Sequence, residues 1–130
     1  MKILVGYDGS NAAMDALKLA VRHAKAFEGR VVVVTSLKGK EHEGVKEIQQ
    51  AETQLAYAQS YLDRKEVEGE THLLIRGLEP GEDIVQFARE KKIDEIVIGV
   101  KRRSKVGKLI FGSNAQHVIL SAPCPVVTIQ

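Results

Sequence analysis

Five short apolar runs rich in β-branched residues, separated by segments with a helical period, constrain the fold of this chain more than any other feature. They are Lys2 to Tyr7, Arg30 to Leu37, Thr71 to Arg76, Glu95 to Val100 and Cys124 to Ile129. The first, second and fourth contain uninterrupted apolar stretches: Ile3-Leu4-Val5, Val31-Val32-Val33-Val34 and Ile96-Val97-Ile98. Successive side chains of a strand point to opposite faces, so an unbroken apolar run needs cover on both faces. A parallel sheet with helices on each side meets that need.

The intervening segments supply the helices. Ala13, Ala16, Leu17, Ala20, Val21, Ala24 and Phe27 recur at steps of three and four, which predicts a helix from about Ser10 to Phe27 with one apolar stripe. Ser10 or Asn11 suits its N-cap. Val45, Ile48, Leu55 and Leu62, with Ala51 and Ala58 between them, mark a second helix from about Glu43 to Lys65. Pro80 occupies a first-turn position of a third, where Glu82 and Asp83 place negative charge at the positive end of the helix dipole. A short fourth helix follows Gly112, and Ser113 and Gln116 have the spacing of a capping box.

Strict βαβαβαβαβ alternation predicts an α/β fold, a five-stranded parallel doubly wound sheet of order 3-2-1-4-5 with helices on both faces. Its 130 residues make a single domain, residues 1–130, with no linker or repeat. Ligands of such sheets bind beside the point where the strand order reverses, here the loops after Tyr7, Leu37 and Val100. No stretch approaches the roughly 18 apolar residues of a membrane span, Asp8 comes too early for a signal peptide core, and the single cysteine, Cys124, cannot form an internal disulfide. A cytoplasmic protein without membrane contact is the expectation.

The net charge of +2 hides an uneven distribution. Between Gly99 and Gly112 lie Lys101, Arg102, Arg103, Lys105 and Lys108 with no acid, so that segment carries +5 and the remainder −3. Aromatic residues are only 5% and do not interleave with basic ones, which argues against a nucleic-acid partner.

Several chemistries are excluded by absence. The first loop, Gly6-Tyr7-Asp8-Gly9-Ser10, is neither a Walker A motif nor a dinucleotide fingerprint. A phosphoacceptor domain needs an Asp after the third strand, which ends instead in Leu74-Ile75-Arg76-Gly77. No serine sits in a Gly-x-Ser-x-Gly elbow, and the four histidines lack ligand spacing or an acid partner. No catalytic residue and no protein-held metal are assigned.

The basic segment ends at a helix start, where backbone N–H groups of Gly112, Ser113 and Asn114, the helix dipole and nearby cations can hold a phosphate chain. Here the sequence resembles the universal stress protein family, small α/β proteins many of which bind ATP. The resemblance spans the chain: the opening Ile-Leu-Val-Gly-Tyr-Asp-Gly-Ser, the strand ending at Gly99, the Gly112-Ser113 loop and the closing Ala122-Pro123-Cys124-Pro125-Val126-Val127. ATP-binding members carry Gly-x2-Gly-x9-Gly-Ser/Thr, and Gly99 and Gly112-Ser113 match it, while Arg102 stands at the second glycine. An arginine there either blocks the phosphates or, with Lys105, pairs with them. Retained binding is favoured, because the added charge has the right sign and Gly107 restores flexibility.

The resemblance implies an adenine nucleotide alpha-hydrolase-like fold and ATP or a related adenine nucleotide as ligand, with Mg2+ or Mn2+ bridging its phosphates. It places Gly6, Tyr7 and Asp8 at the adenosine part of the nucleotide and the Ser36 backbone at the adenine edge; a carboxylate such as Asp8 can there accept a hydrogen bond from a ribose hydroxyl. Asp8 can equally cap the first helix or form a turn with Gly9. It further implies a homodimer through the C-terminal strand and a nucleotide-responsive role in stress. A scaffold that binds no nucleotide, using the basic segment for an anionic partner, and a slow nucleotide hydrolase are the alternatives.

Overall fold

The computed structural model describes residues 1–39, 44–100 and 111–130. The elements run β1 (Lys2–Gly6), α1 (Asn11–Phe27), β2 (Arg30–Leu37), α2 (Val45–Arg64), β3 (Gly69–Ile75), α3 (Pro80–Glu90), β4 (Glu95–Gly99), α4 (Ser113–Ser121) and β5 (Val126–Ile129). All strand pairs are parallel, in the expected order β3-β2-β1-β4-β5. In register, Leu4 lies between Val32 and Ile96, and Val5 between Val33 and Val97.

The unbroken apolar runs divide between two cores. Ile3, Val5, Val31, Val33 and Val97 face the side covered by α1 and α2, where they meet Leu17, Leu55 and Leu62. Leu4, Val32, Val34, Ile96 and Ile98 face the opposite side and meet Ile84, Val85, Phe87 and Val118 of α3 and α4. Burying each such side chain contributes about 1.5–3 kcal/mol, which is why the middle of each of the three central strands is apolar on both faces and the polar Thr35 and Ser36 come only at the end of β2. The edge strands β3 and β5 are only half-buried and admit Glu70 and Thr128.

Helix boundaries follow from caps. The Ser10 hydroxyl accepts a hydrogen bond from the Ala13 N–H at 3.2 Å and starts α1. Phe27, expected on the buried stripe, instead is 63% exposed in the last turn and packs edge-on against His23. At the start of α2, the Gly44 N–H donates to Glu47 Oε2 at 2.8 Å, and Val45 lies outside the core. The N-cap of α4 is Gly112, one residue before the expected Ser113, so no Ser113–Gln116 capping box forms, and among the described residues no side chain caps this helix. Asp83 lies in the first turn of α3 as expected, and is fully buried there. Cys124 is half-buried beside the second core, and burial together with Asp94 and Glu95 raises its thiol pKa. Among the described residues no helix is long and apolar enough to cross a membrane.

Candidate functional site

The carboxyl ends of β1, β2 and β4 meet the start of α4 around one cavity of about 630 Å³, a size suited to a small-molecule ligand. Its floor is held by the sheet. Tyr7 N–H donates to the Val34 carbonyl at 2.8 Å, and the buried Thr35 hydroxyl donates to the Tyr7 carbonyl at 2.6 Å, extending the β1–β2 ladder past the last strand residue. The Tyr7 phenol is pushed to higher pKa by burial and by the neighbouring Tyr57 and Asp8, and among the described residues its hydroxyl meets only the Met14 sulfur, at 4.0 Å.

The chain then turns sharply. Asp8 Oδ1 accepts from the Ser10 N–H at 2.9 Å, and Gly9 takes φ +79°. Of the two local roles open to Asp8, the turn is the one formed; Ser10 caps the helix. Asp8 Oδ2 makes no hydrogen bond among the described residues, so an acceptor remains at the cavity wall.

On the β2 side, the Ser36 hydroxyl donates to Asp83 Oδ2 at 2.7 Å. Arg76 Nε donates to Asp83 Oδ1 at 2.6 Å, and its Nη1 to Glu90 Oε1 at 2.7 Å. Burial works to lower the Arg76 pKa, but the bonds to Glu90 and Asp83 outweigh it and raise it. This chain of contacts clamps the ends of β2 and β3 to α3 and fixes the Ser36 side chain away from a ligand role.

On the β4 side, Gly99 is where the strand passes the first turn of α1. A Cβ there would overlap the Ala12 carbonyl and come within 2.8 Å of the Ala12 Cβ. Gly112, by contrast, has no atom of the described residues within 4 Å of an added Cβ. The Asn114 side chain is spent on packing α4 against α3, its Oδ1 accepting from the Gly81 N–H at 2.9 Å. The first-turn N–H groups of α4 have no intrahelical acceptor and, among the described residues, no side-chain cap, which leaves donors and the positive dipole end facing the cavity.

Gly6, Tyr7, Asp8 and Ser36 therefore line the same cavity as Gly99, Gly112, Ser113 and Asn114. Arg102 and Lys105, with the rest of the basic segment, lie outside the described residues. Sequence reasoning missed the wall contributed by α2, where Glu47, Gln50 and Gln54 reach the cavity. Their signal was present: polar residues at three- and four-residue steps lie beside the apolar Ala51 and Leu55, on a helix whose start adjoins the end of β2.

A doubly wound parallel sheet with its cavity at the reversal of strand order defines the class of α/β domain that holds ligands beyond the strand ends. The model of the universal stress protein family matches residues 1–130, and the chain belongs to that family. It is similar to a universal stress protein structure from Archaeoglobus fulgidus (44% identity, TM-score 0.92, covering 100% of this chain and 98% of the other). A second structure from that organism, solved in complex with dAMP, is 39% identical with a TM-score of 0.87 over 100% and 98% of the two chains. A universal stress protein of Thermus aquaticus is 34% identical over 98% of this chain and 97% of its own.

Proposed function

We propose that the protein is a cytoplasmic, nucleotide-responsive stress regulator that binds ATP or a related adenine nucleotide in this cavity. The observation that carries the reading is the convergence of an open acceptor on Asp8, the end of β2 at Ser36 and the uncapped start of α4 on one cavity of about 630 Å³. A carboxylate suits a ribose hydroxyl, and a helix N-terminus suits a phosphate. The dAMP held by the 39% identical relative supports the same ligand class. Among the described residues no group of three His, Cys, Asp or Glu side chains is placed to hold a metal. A Mg2+ or Mn2+ ion would therefore be held by the phosphates and water, and would supply neutralisation of their charge.

Protein purified without added nucleotide is expected to release an adenine nucleotide on denaturation, or to bind ATP with magnesium calorimetrically with a Kd below about 1 mM. Gly112→Val places a branched side chain at the helix start, and is expected to weaken binding by about tenfold or more without lowering thermal stability. Absence of both released nucleotide and binding heat would instead favour a scaffold role.

We further propose a homodimer through β5. Among the described residues that strand pairs only with β4, its Val126, Val127 and Ile129 remain half-exposed, and Leu120 of the adjoining α4 is 76% exposed. An apolar edge of this kind gains from being covered. Light scattering at micromolar concentration is expected to give twice the 14.3 kDa chain mass; a monomer mass would refute the dimer.

A further inference from the structure

The α2 wall carries one side chain whose position is set by the first loop. The Gln54 amide lies across Gly9: a Cβ at Gly9 would come within 2.5 Å of Gln54 Cδ and 2.9 Å of its Oε1. Gly9 is thus glycine for two reasons, its φ of +79° and the room its missing side chain leaves for this amide. The neighbouring residue is Asp8, whose Oδ1 is spent on the turn. Gln54 is half-buried, lines the cavity, and makes no hydrogen bond among the described residues.

Among the described residues, several other polar groups around the cavity are already bonded, and the Gln50 amide and the Ser113 hydroxyl, which also line it, are not the ones beside the Asp8-Gly9 turn. The Ser36 hydroxyl is held by Asp83, the Glu47 carboxylate by the Gly44 N–H, and the Asn114 side chain by the Gly81 N–H. Asp8 Oδ2 and the Gln54 amide are the pair left beside the same turn, one an acceptor, the other both donor and acceptor. Two adjacent hydroxyls, each able to donate and accept, complement such a pair. A single hydroxyl leaves one member unmatched, and an unmatched polar group in a partly dehydrated wall is unfavourable.

We infer that Gln54 is a specificity-determining residue that, together with Asp8, reads the vicinal 2′,3′-diol of a ribonucleotide. This rests on the nucleotide reading proposed above, and adds a discrimination between ribose and 2′-deoxyribose. The site still admits a deoxynucleotide at lower affinity, because the base and phosphate contacts do not involve Gln54.

The test is calorimetric titration of the full chain with ATP, dATP, AMP and dAMP, for the wild type and for Gln54→Leu and Gln54→Ala. The wild type is expected to prefer the ribose member of each pair that binds by about fivefold, the range of one net hydrogen bond. Both variants are expected to lose about that factor for the ribonucleotide, to hold deoxynucleotide affinity within about twofold, and so to bring the ratio near one. The thermal midpoint of each ligand-free variant checks folding, and two replacements of different volume separate lost hydrogen bonding from altered packing. A wild type that binds both sugars equally, a ratio that survives in the variants, or an equal loss for both sugars overturns the role of Gln54 while leaving the nucleotide site standing. A wild type that binds none of the four overturns the site reading, and this inference with it.

Discussion

Gly99→Ala is expected to destabilise the protein by about 3 kcal/mol, lowering the thermal midpoint by roughly 10 °C, although it adds a single methyl group. The new Cβ would overlap the Ala12 carbonyl in the first turn of α1, and neither side of that contact can yield cheaply. Gly99 is the last residue of β4, in register with Ile129 of β5, and Ala12 sits in a turn fixed by the Ser10 cap. Relief would require α1 to lift from the sheet, opening the alanine-lined contact made by Ala13, Ala16 and Ala20. Urea denaturation gives the number, and Gly112→Ala is the control. With no atom of the described residues within 4 Å of its added Cβ, that change is expected to move stability by less than about 0.5 kcal/mol. Equal effects at the two glycines would show that the β4–α1 approach is not the constraint. The two motif glycines thus have different origins: Gly99 serves helix-on-sheet packing, and Gly112 keeps a helix start open.

Asp83→Ala is expected to cost about 3 kcal/mol, near the lower end for breaking a buried ion pair. The carboxylate is fully buried and accepts from Arg76 and Ser36, so its removal orphans two donors. The cost stays at the lower end because the Arg76 side chain is 29% exposed and keeps Glu90 as a partner. Asp83→Asn retains an acceptor and is expected to cost about half as much. The double replacement Arg76→Leu with Asp83→Leu is expected to recover part of the loss, because no charge is then left buried without its partner. Chemical denaturation of the three variants tests the ordering. An Asp83→Ala protein as stable as the wild type would show that the clamp between β2, β3 and α3 contributes nothing.

The ribose inference and the clamp meet at the end of β2. With its hydroxyl turned onto Asp83, Ser36 presents only its main chain to the cavity, so in the proposed reading the side-chain discrimination of the sugar falls to Asp8 and Gln54. Weakening the clamp would loosen this wall while leaving the helix start at Gly112 in place, since α4 is tied to α3 separately through Asn114 and Gly81.

Legibility followed the range of the interaction. The run Val31-Val32-Val33-Val34 could only be a strand covered on both faces, and the two cores are its alternate residues. Ser10 as the cap of α1 and Asp8 with Gly9 as a turn were equally readable, since each acts on residues two or three positions away. Edge strands were harder: β3 begins at Gly69, two residues before its apolar signal, because pairing with Val31 and Val32 extends it through Gly69 and Glu70. Asp83 looked like a dipole charge because nothing local reveals that Arg76, on the far side of the β3–α3 turn, folds back onto it.

Periodicity and local caps, properties of neighbours in the chain, determine the five parallel strands, the order in which helices cover them and the end of the sheet at which the cavity opens. Only the tertiary structure decides that Gln54 lies over Gly9, that Gly99 touches Ala12 and that Ser36 is claimed by Asp83. Those pairs are 45, 87 and 47 positions apart, and their meeting depends on the twist, register and packing distance of the assembled layers.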